Sequence, residues 1–294
     1  MVTTDWLNAH LTDPDLVIVD IRGEVSKKAN GDSNFVETSY ISHLDQYRES
    51  HIGKAVFVDW TKDIAAEKNG VPVQLIDRET FIERMEALGI GKGRRVVVYD
   101  TGEMLFATRL WWAMKLRGFE DVALLDGGWA KWNSEERIVT DEIECPLKQF
   151  CEWNIDPKLE DLSLKIDMEG VRNNLSVLQI IDARSKEQYS GIERRAKKSG
   201  HIPGALNVPY KKLLNTSQCS KYKTFKTKEE IEKVFEESGI DITMKSIVYC
   251  NGGVASTVVM FALFQLGNDF ASNYDGSWNE WGNEPDLPIE IKQR

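Results

Sequence analysis

Apolar and polar positions alternate along this chain in blocks rather than residue by residue. Short runs such as VIVD, AVFV, VVVYD and VALLD, then IID, ALNV and SIVYC, are nearly continuous in β-branched residues. Between them lie segments of helical period, TFIERMEALGI and KEEIEKVFEESGI among them. Buried strands separated by amphipathic helices predict parallel sheets covered on both faces and joined by right-handed crossovers. The fold class expected is α/β, with a doubly wound sheet.

The blocks also repeat. DLVIVDIR from Asp15 returns as VLQIIDAR from Val177, and ESHIGKAVFV from Glu49 returns as SGHIPGALNV from Ser199. RVVVYD from Arg95 matches KSIVYC from Lys245, and LLDGGWAKW from Leu124 matches NYDGSWNEW from Asn273. The pairs His51 and His201, Tyr99 and Tyr249, and Asp126 and Asp275 keep almost one offset, so the chain reads as two copies of one domain. The expected division is a first domain over 1–135, a linker over 136–165 and a second domain over 166–294. The linker is polar and acidic, with Pro146 and Pro157 and no clear period.

Composition narrows the function classes. Among 294 residues, 47 are acidic and 37 basic, a formal charge of −10 that speaks against nucleic acid or anionic lipid as the main partner. No uncharged apolar run approaches the 18 or so residues of a membrane span. The N-terminus has neither a signal peptide's apolar core nor a transit peptide's Arg-rich look, so a cytoplasmic protein is expected. Four cysteines without metal-ligand spacing suit reduced thiols better than a disulfide framework, including Cys145 and Cys151 across their short loop.

The candidate chemistry lies in IVYCNGGVASTVVMFALFQLG, from Ile247 to Gly267. A strand over Ser246 to Tyr249 would place Cys250 at its carboxyl end, where parallel α/β sheets bind ligands. A helix over Ser256 to Leu266 follows, so Asn251 to Ala255 must turn sharply, and Gly252 and Gly253 permit positive φ there. Amides of such a turn, ending at a helix N-terminus, would form an anion nest around the sulfur and favour thiolate over thiol. The equivalent residue in the first half is Asp100, which would cap its own helix without chemistry.

These segments together resemble the tandem-domain rhodanese family, the thiosulfate and 3-mercaptopyruvate sulfurtransferases. The resemblance rests on the DxR segments at Asp20 and Asp182, the HIPGA-like stretches at His51 and His201, the Cys-x-x-Gly-Val loop, YDGSWNEW and the DLPIE tail. It implies a noncatalytic first domain and a catalytic second one, with the site near the interdomain cleft. Cys250 would take a sulfane sulfur from a small-molecule donor and pass it as a persulfide to cyanide or a thiol such as thioredoxin, without metal or organic cofactor. The implied substrate-binding residues are Asn251, Gly252, Gly253, Val254, Ala255, Gln188 and Arg194.

The loop reads CNGGVA where mercaptopyruvate enzymes resemble CGSGVT and thiosulfate enzymes CRKGVT. Gln188 stands at the family's first substrate arginine, and counting back from His201 puts Arg194 at the second. The expected donor is 3-mercaptopyruvate, with thiosulfate second, and the expected assembly is a monomer. The competing reading is a tandem binding or redox-sensing protein with a decayed pocket. A phosphatase or arsenate reductase needs arginine six residues after the cysteine, and that residue is Ser256. The remaining motif residues read as structural: Asp182 with Arg184 as an ion pair bracing a strand end, His51 and His201 as turn-forming groups, and Trp129, Trp132, Trp278 and Trp281 as packing.

Overall fold

The computed structural model describes residues 1–29, 34–143, 152–215 and 222–291. Cys145 and Cys151 lie outside them. Four parallel strands form the first sheet, in the spatial order Ala55–Phe57, Leu16–Asp20, Arg95–Tyr99, Val122–Leu124. The second sheet has five, in the order Leu206–Asn207, Gln179–Asp182, Ser246–Tyr249, Ala271–Tyr274, Lys165–Ile166. The shared first four places in both orders show the duplication in three dimensions. The β-branched runs supply the strands because both of their faces are covered, and Val96, Val97, Val98, Ile247 and Val248 are all buried.

Both central strands end on a tyrosine that ties the DxR segment in place. Tyr99 Oη donates to Asp20 Oδ2 and Tyr249 Oη to Asp182 Oδ2, each at 2.7 Å. The same aspartates hold Arg22 and Arg184 in buried ion pairs at 2.8 and 2.6 Å. Each guanidinium lies 4.3 Å from a tryptophan ring centre, Arg22 over Trp129 and Arg184 over Trp278. His51 and His201 stack on Tyr47 and Tyr189 and bond those tyrosines' carbonyls through Nδ1 at 2.8 Å. The bracing and turn-forming roles read from the motif are therefore what these residues do.

The segment after the first domain is more structured than its composition suggests. Trp153 is buried against Phe81 and Phe119 of the first half. Lys165 and Ile166 form the edge strand of the second sheet.

Two antiparallel hairpins were not legible in the block pattern. One pairs Gly23–Ala29 with Val36–Ser42, the other Ala65–Lys68 with Val71–Leu75. The first belongs to the first half but reaches the second: Val36 N donates to Arg194 O and Arg194 N to Asn34 O, both at 2.9 Å. Helices Leu105–Leu116 and Ala255–Gln265, which follow Asp100 and Cys250, also meet between the halves. Trp111 packs edge-on against Phe261, and the hydroxyls of Thr108 and Thr257 lie 2.9 Å apart. No helix among the described residues is long and apolar enough to cross a membrane.

Candidate active site

Cys250 follows the last residue of its strand and forms part of the floor of a cavity of about 740 Å³ between the two halves. It is buried, at 3% exposure, and lines the cavity. The helix starts at Ala255, one residue earlier than the sequence reading placed it.

The loop is held from behind by the turn and short helix Ser277–Trp281. Ser277 Oγ accepts the amides of Cys250 and Gly253, both at 3.1 Å, and donates to Tyr274 O at 2.6 Å. Trp278 N and Asn279 N donate to the carbonyls of Cys250 and Asn251. These bonds fix the loop backbone without using the cavity side. Nothing in the loop sequence points to residue 277; only the repeated LDGGW and YDGSW segments place it opposite the cysteine.

Gly253 has φ +71°, whereas Gly252 is not in the left-handed region. The expectation of positive φ at both glycines is corrected for Gly252, whose requirement is space. A Cβ there would lie 2.9 Å from Val73 Cγ2 and 3.1 Å from Asn279 Nδ2. A Cβ on Gly253 would lie 2.6 Å from Asp275 Oδ1.

The nest expected around the sulfur is also different. Among the described residues no backbone amide donates to Cys250 Sγ; its polar neighbour is Ser256 Oγ at 3.6 Å, whose single proton is given to Asn273 Oδ1 at 2.7 Å. The first half explains why. There the Asp100 carboxylate accepts the amides of Gly102, Met104, Phe106 and Ala107 at 2.8 to 3.3 Å. Its oxygens stand one bond beyond the place that Sγ takes, and the two turns differ in backbone: φ is +120° at Gly102 and +62° at Met104, but −90° at Val254, with Gly253 the left-handed residue instead. Burial raises the Asp100 carboxyl above its usual range, against the pull of those four amides.

Cys250, Asn251, Gly252, Val254, Ala255 and Gln188 line the cavity, and Gly253 sits beneath it. Gln188 is buried and engaged: its Oε1 accepts from Asn251 Nδ2 at 2.9 Å, and its Nε2 donates to Glu193. Arg194 does not line the cavity. Its Nη1 donates to Lys197 O at 3.3 Å and its guanidinium lies over Phe35. The cation that does line it is the next residue, Arg195, whose Nη2 donates to Thr38 Oγ1. Burial lowers the Arg195 guanidinium, opposed by the nearby Tyr40 and Cys250 groups. Tyr40 lines the cavity too, its hydroxyl accepting from Asn279 Nδ2 at 3.1 Å. It comes from the hairpin that the sequence reading missed, in a stretch, VETSYIS, whose alternating burial was the available signal.

The duplication seen in the two sheets, each with its Asp-Arg-Tyr brace, agrees with comparison to known families. The rhodanese-like domain model matches residues 3–135 and again 165–284. The chain belongs to the rhodanese-like family. A 3-mercaptopyruvate sulfurtransferase of Escherichia coli K12 is 31% identical over 293 residues, 98% of this chain and 97% of that protein. A putative thiosulfate sulfurtransferase of Mycolicibacterium smegmatis is 30% identical over 301 residues, 99% of this chain and 97% of that one. The crystal structure of SseA from Escherichia coli, a 3-mercaptopyruvate sulfotransferase by its description, superposes with a TM-score of 0.75 at 30% identity, covering 95% of this chain and 98% of that one. These full-length relatives support the tandem rhodanese fold and a sulfurtransferase enzyme.

Proposed function

We propose that the protein transfers a sulfane sulfur through a Cys250 persulfide, with a small 3-mercapto acid as the favoured donor. The observation that carries this reading is the pairing of Cys250 with Asp100. The two turns differ in backbone, Met104 standing at φ +62° and Val254 at φ −90°, but both run from a strand end into a helix whose first amides have no partner within the helix. A persulfide would carry its outer sulfur about 2.05 Å past Sγ, into the cavity in front of that helix start.

In the first stage the Cys250 thiolate attacks the donor's sulfur. The new S–S bond forms as the donor's C–S bond breaks, and that electron pair leaves on carbon as an enolate that takes a proton from solvent. With thiosulfate, the broken bond is S–S and sulfite leaves with the pair. In the second stage an acceptor thiolate or cyanide attacks the outer sulfur and Cys250 departs as thiolate. The loop amides would stabilise negative charge at the outer sulfur in both stages. Arg195 and Tyr40, facing the cavity, would orient the donor's anionic end; Arg194 would not. A thiol of thioredoxin type is a fitting acceptor because it needs only to bring one sulfur to the cavity.

The test is intact-protein mass spectrometry after brief exposure to 3-mercaptopyruvate or, separately, thiosulfate. One added sulfur atom that cyanide removes, absent in Cys250→Ser, is the expected result. No gain from either donor, with Cys250 still open to alkylation, would favour a binding or redox-sensing protein instead.

A further inference from the structure

Resting on the sulfur-transfer reading, we infer that Arg109, from the half without the cysteine, is a positioning residue that holds the Gly253–Val254 peptide of the Cys250 loop in its working orientation. Arg109 is fully buried in helix Leu105–Leu116. Its Nη1 donates to Gly253 O at 2.9 Å, inside the catalytic loop, and its Nη2 donates to Val73 O at 3.1 Å. The same Nη2 forms an ion pair with Asp275 Oδ1 at 2.6 Å, and the guanidinium lies 4.5 Å from the Trp112 ring centre. Asp275 is itself pinned, its Oδ2 accepting Leu75 N at 2.9 Å with Lys165 at 3.5 Å.

The carbonyl of Gly253 and the N–H of Val254 belong to one trans peptide and point in opposite directions. A cation on the carbonyl therefore fixes the peptide's orientation and strengthens its N–H as a donor on the side away from Arg109. Asn273 Nδ2 shares the task, donating to the same carbonyl at 3.0 Å. The arrangement is one-sided: the residue equivalent to Arg109 in the second half is Val259, which is apolar and buried. A purely structural cross-link would need only the Asp275 contact, not the one to the loop carbonyl.

The test compares Arg109→Lys and the charge-balanced pair Arg109→Met with Asp275→Asn against the unaltered protein. Three quantities are read: thermal unfolding, the rate of Cys250 alkylation by iodoacetamide, and single-turnover sulfur loading at varied donor concentration. Losing one direct oxyanion donor costs roughly 10²–10³ in rate, and weakening one through its peptide is set at about tenfold. The expected result is a folded double variant that alkylates and loads about tenfold more slowly, with the half-saturating donor concentration unchanged. Arg109→Lys, keeping the charge without the two-pronged grip, is expected between the two. Wild-type alkylation by the folded double variant, or a change confined to half-saturation, would overturn the inference. Should the double variant not fold, wild-type alkylation by Arg109→Lys would overturn it. Alkylation needs no donor, so a protein that accepts no sulfur would sink the transfer reading while leaving this comparison intact.

Discussion

The loops after Tyr99 and Tyr249 are the two regions whose comparison is most informative. Both leave the central strand of a parallel sheet, both enter a helix of similar length, and both have their first carbonyls capped by a DGxW turn: Trp129 N on Asp100 O, Trp278 N on Cys250 O. One loop closes its amides on its own carboxylate. The other turns differently over 252–254 and presents a sulfur that no described amide meets, with a cavity beyond. A buried carboxylate and a different turn thus separate a loop that has answered its own hydrogen-bonding demand from one that opens on a cavity.

The largest expected effect comes from moving the cysteine. Asp100→Cys combined with Cys250→Ser should load no sulfur detectable by intact mass, because Asp100 is fully buried and lies outside the cavity lining. Loading at position 100 would break the comparison by making the two loops equally accessible.

Next in size is Asp275→Asn, which leaves Arg109 buried without its ion-pair partner, a loss of about 3–5 kcal/mol for pairs of this kind. Burial alone would raise the Asp275 carboxyl, yet the charges of Arg109 and Lys165 and the amide of Leu75 hold it below its usual range. A depressed carboxylate contributes stability that is complete above its unfolded pKa, about 3.9, and is lost as pH falls through the folded value. Melting curves should therefore show a gap between wild type and variant that is full at pH 6 and narrows below about pH 4. A gap independent of pH would locate the stability elsewhere.

The smallest effect is expected from Gln188→Ala. It frees Asn251 Nδ2 and the Glu193 contact, bonds worth about 0.5–1.5 kcal/mol each. The half-saturating donor concentration should rise a few-fold with little change in the saturated rate. A collapse of the saturated rate would mean that Gln188 holds the loop in its working shape.

The sheets, the duplication and the position of Cys250 were legible because buried parallel strands leave unbroken apolar runs that an offset comparison can align. The helix of the Cys250 loop was found within one residue. What escaped depends on packing across sequence distance. GEVSKKA is a lysine-bearing ribbon without an apolar run, so the hairpin that brings Tyr40 to the cavity gave only the weak alternation of VETSYIS. Residues 190–200 have no period, and counting back from His201 gave Arg194, whereas the arginine that lines the cavity is Arg195. Gly252 showed its glycine but not the reason for it, since crowding by Val73 and Asn279 comes from distant segments. Arg109 stands in the apolar stretch TRLWW, and nothing there points to its partner Asp275, 166 positions away in the chain.

The hairpin over Gly23–Ser42 has a consequence for traffic. Its main chain is stitched to Arg194 and its Tyr40 to Asn279, while Arg109 and Thr108 fasten the opposite side of the same boundary. Contacts on both sides of a boundary oppose its opening. Under the proposed transfer, sulfur would then enter and leave through a portal of nearly constant bore, and the reach of an acceptor into it, rather than a gate's opening rate, would select among thiols.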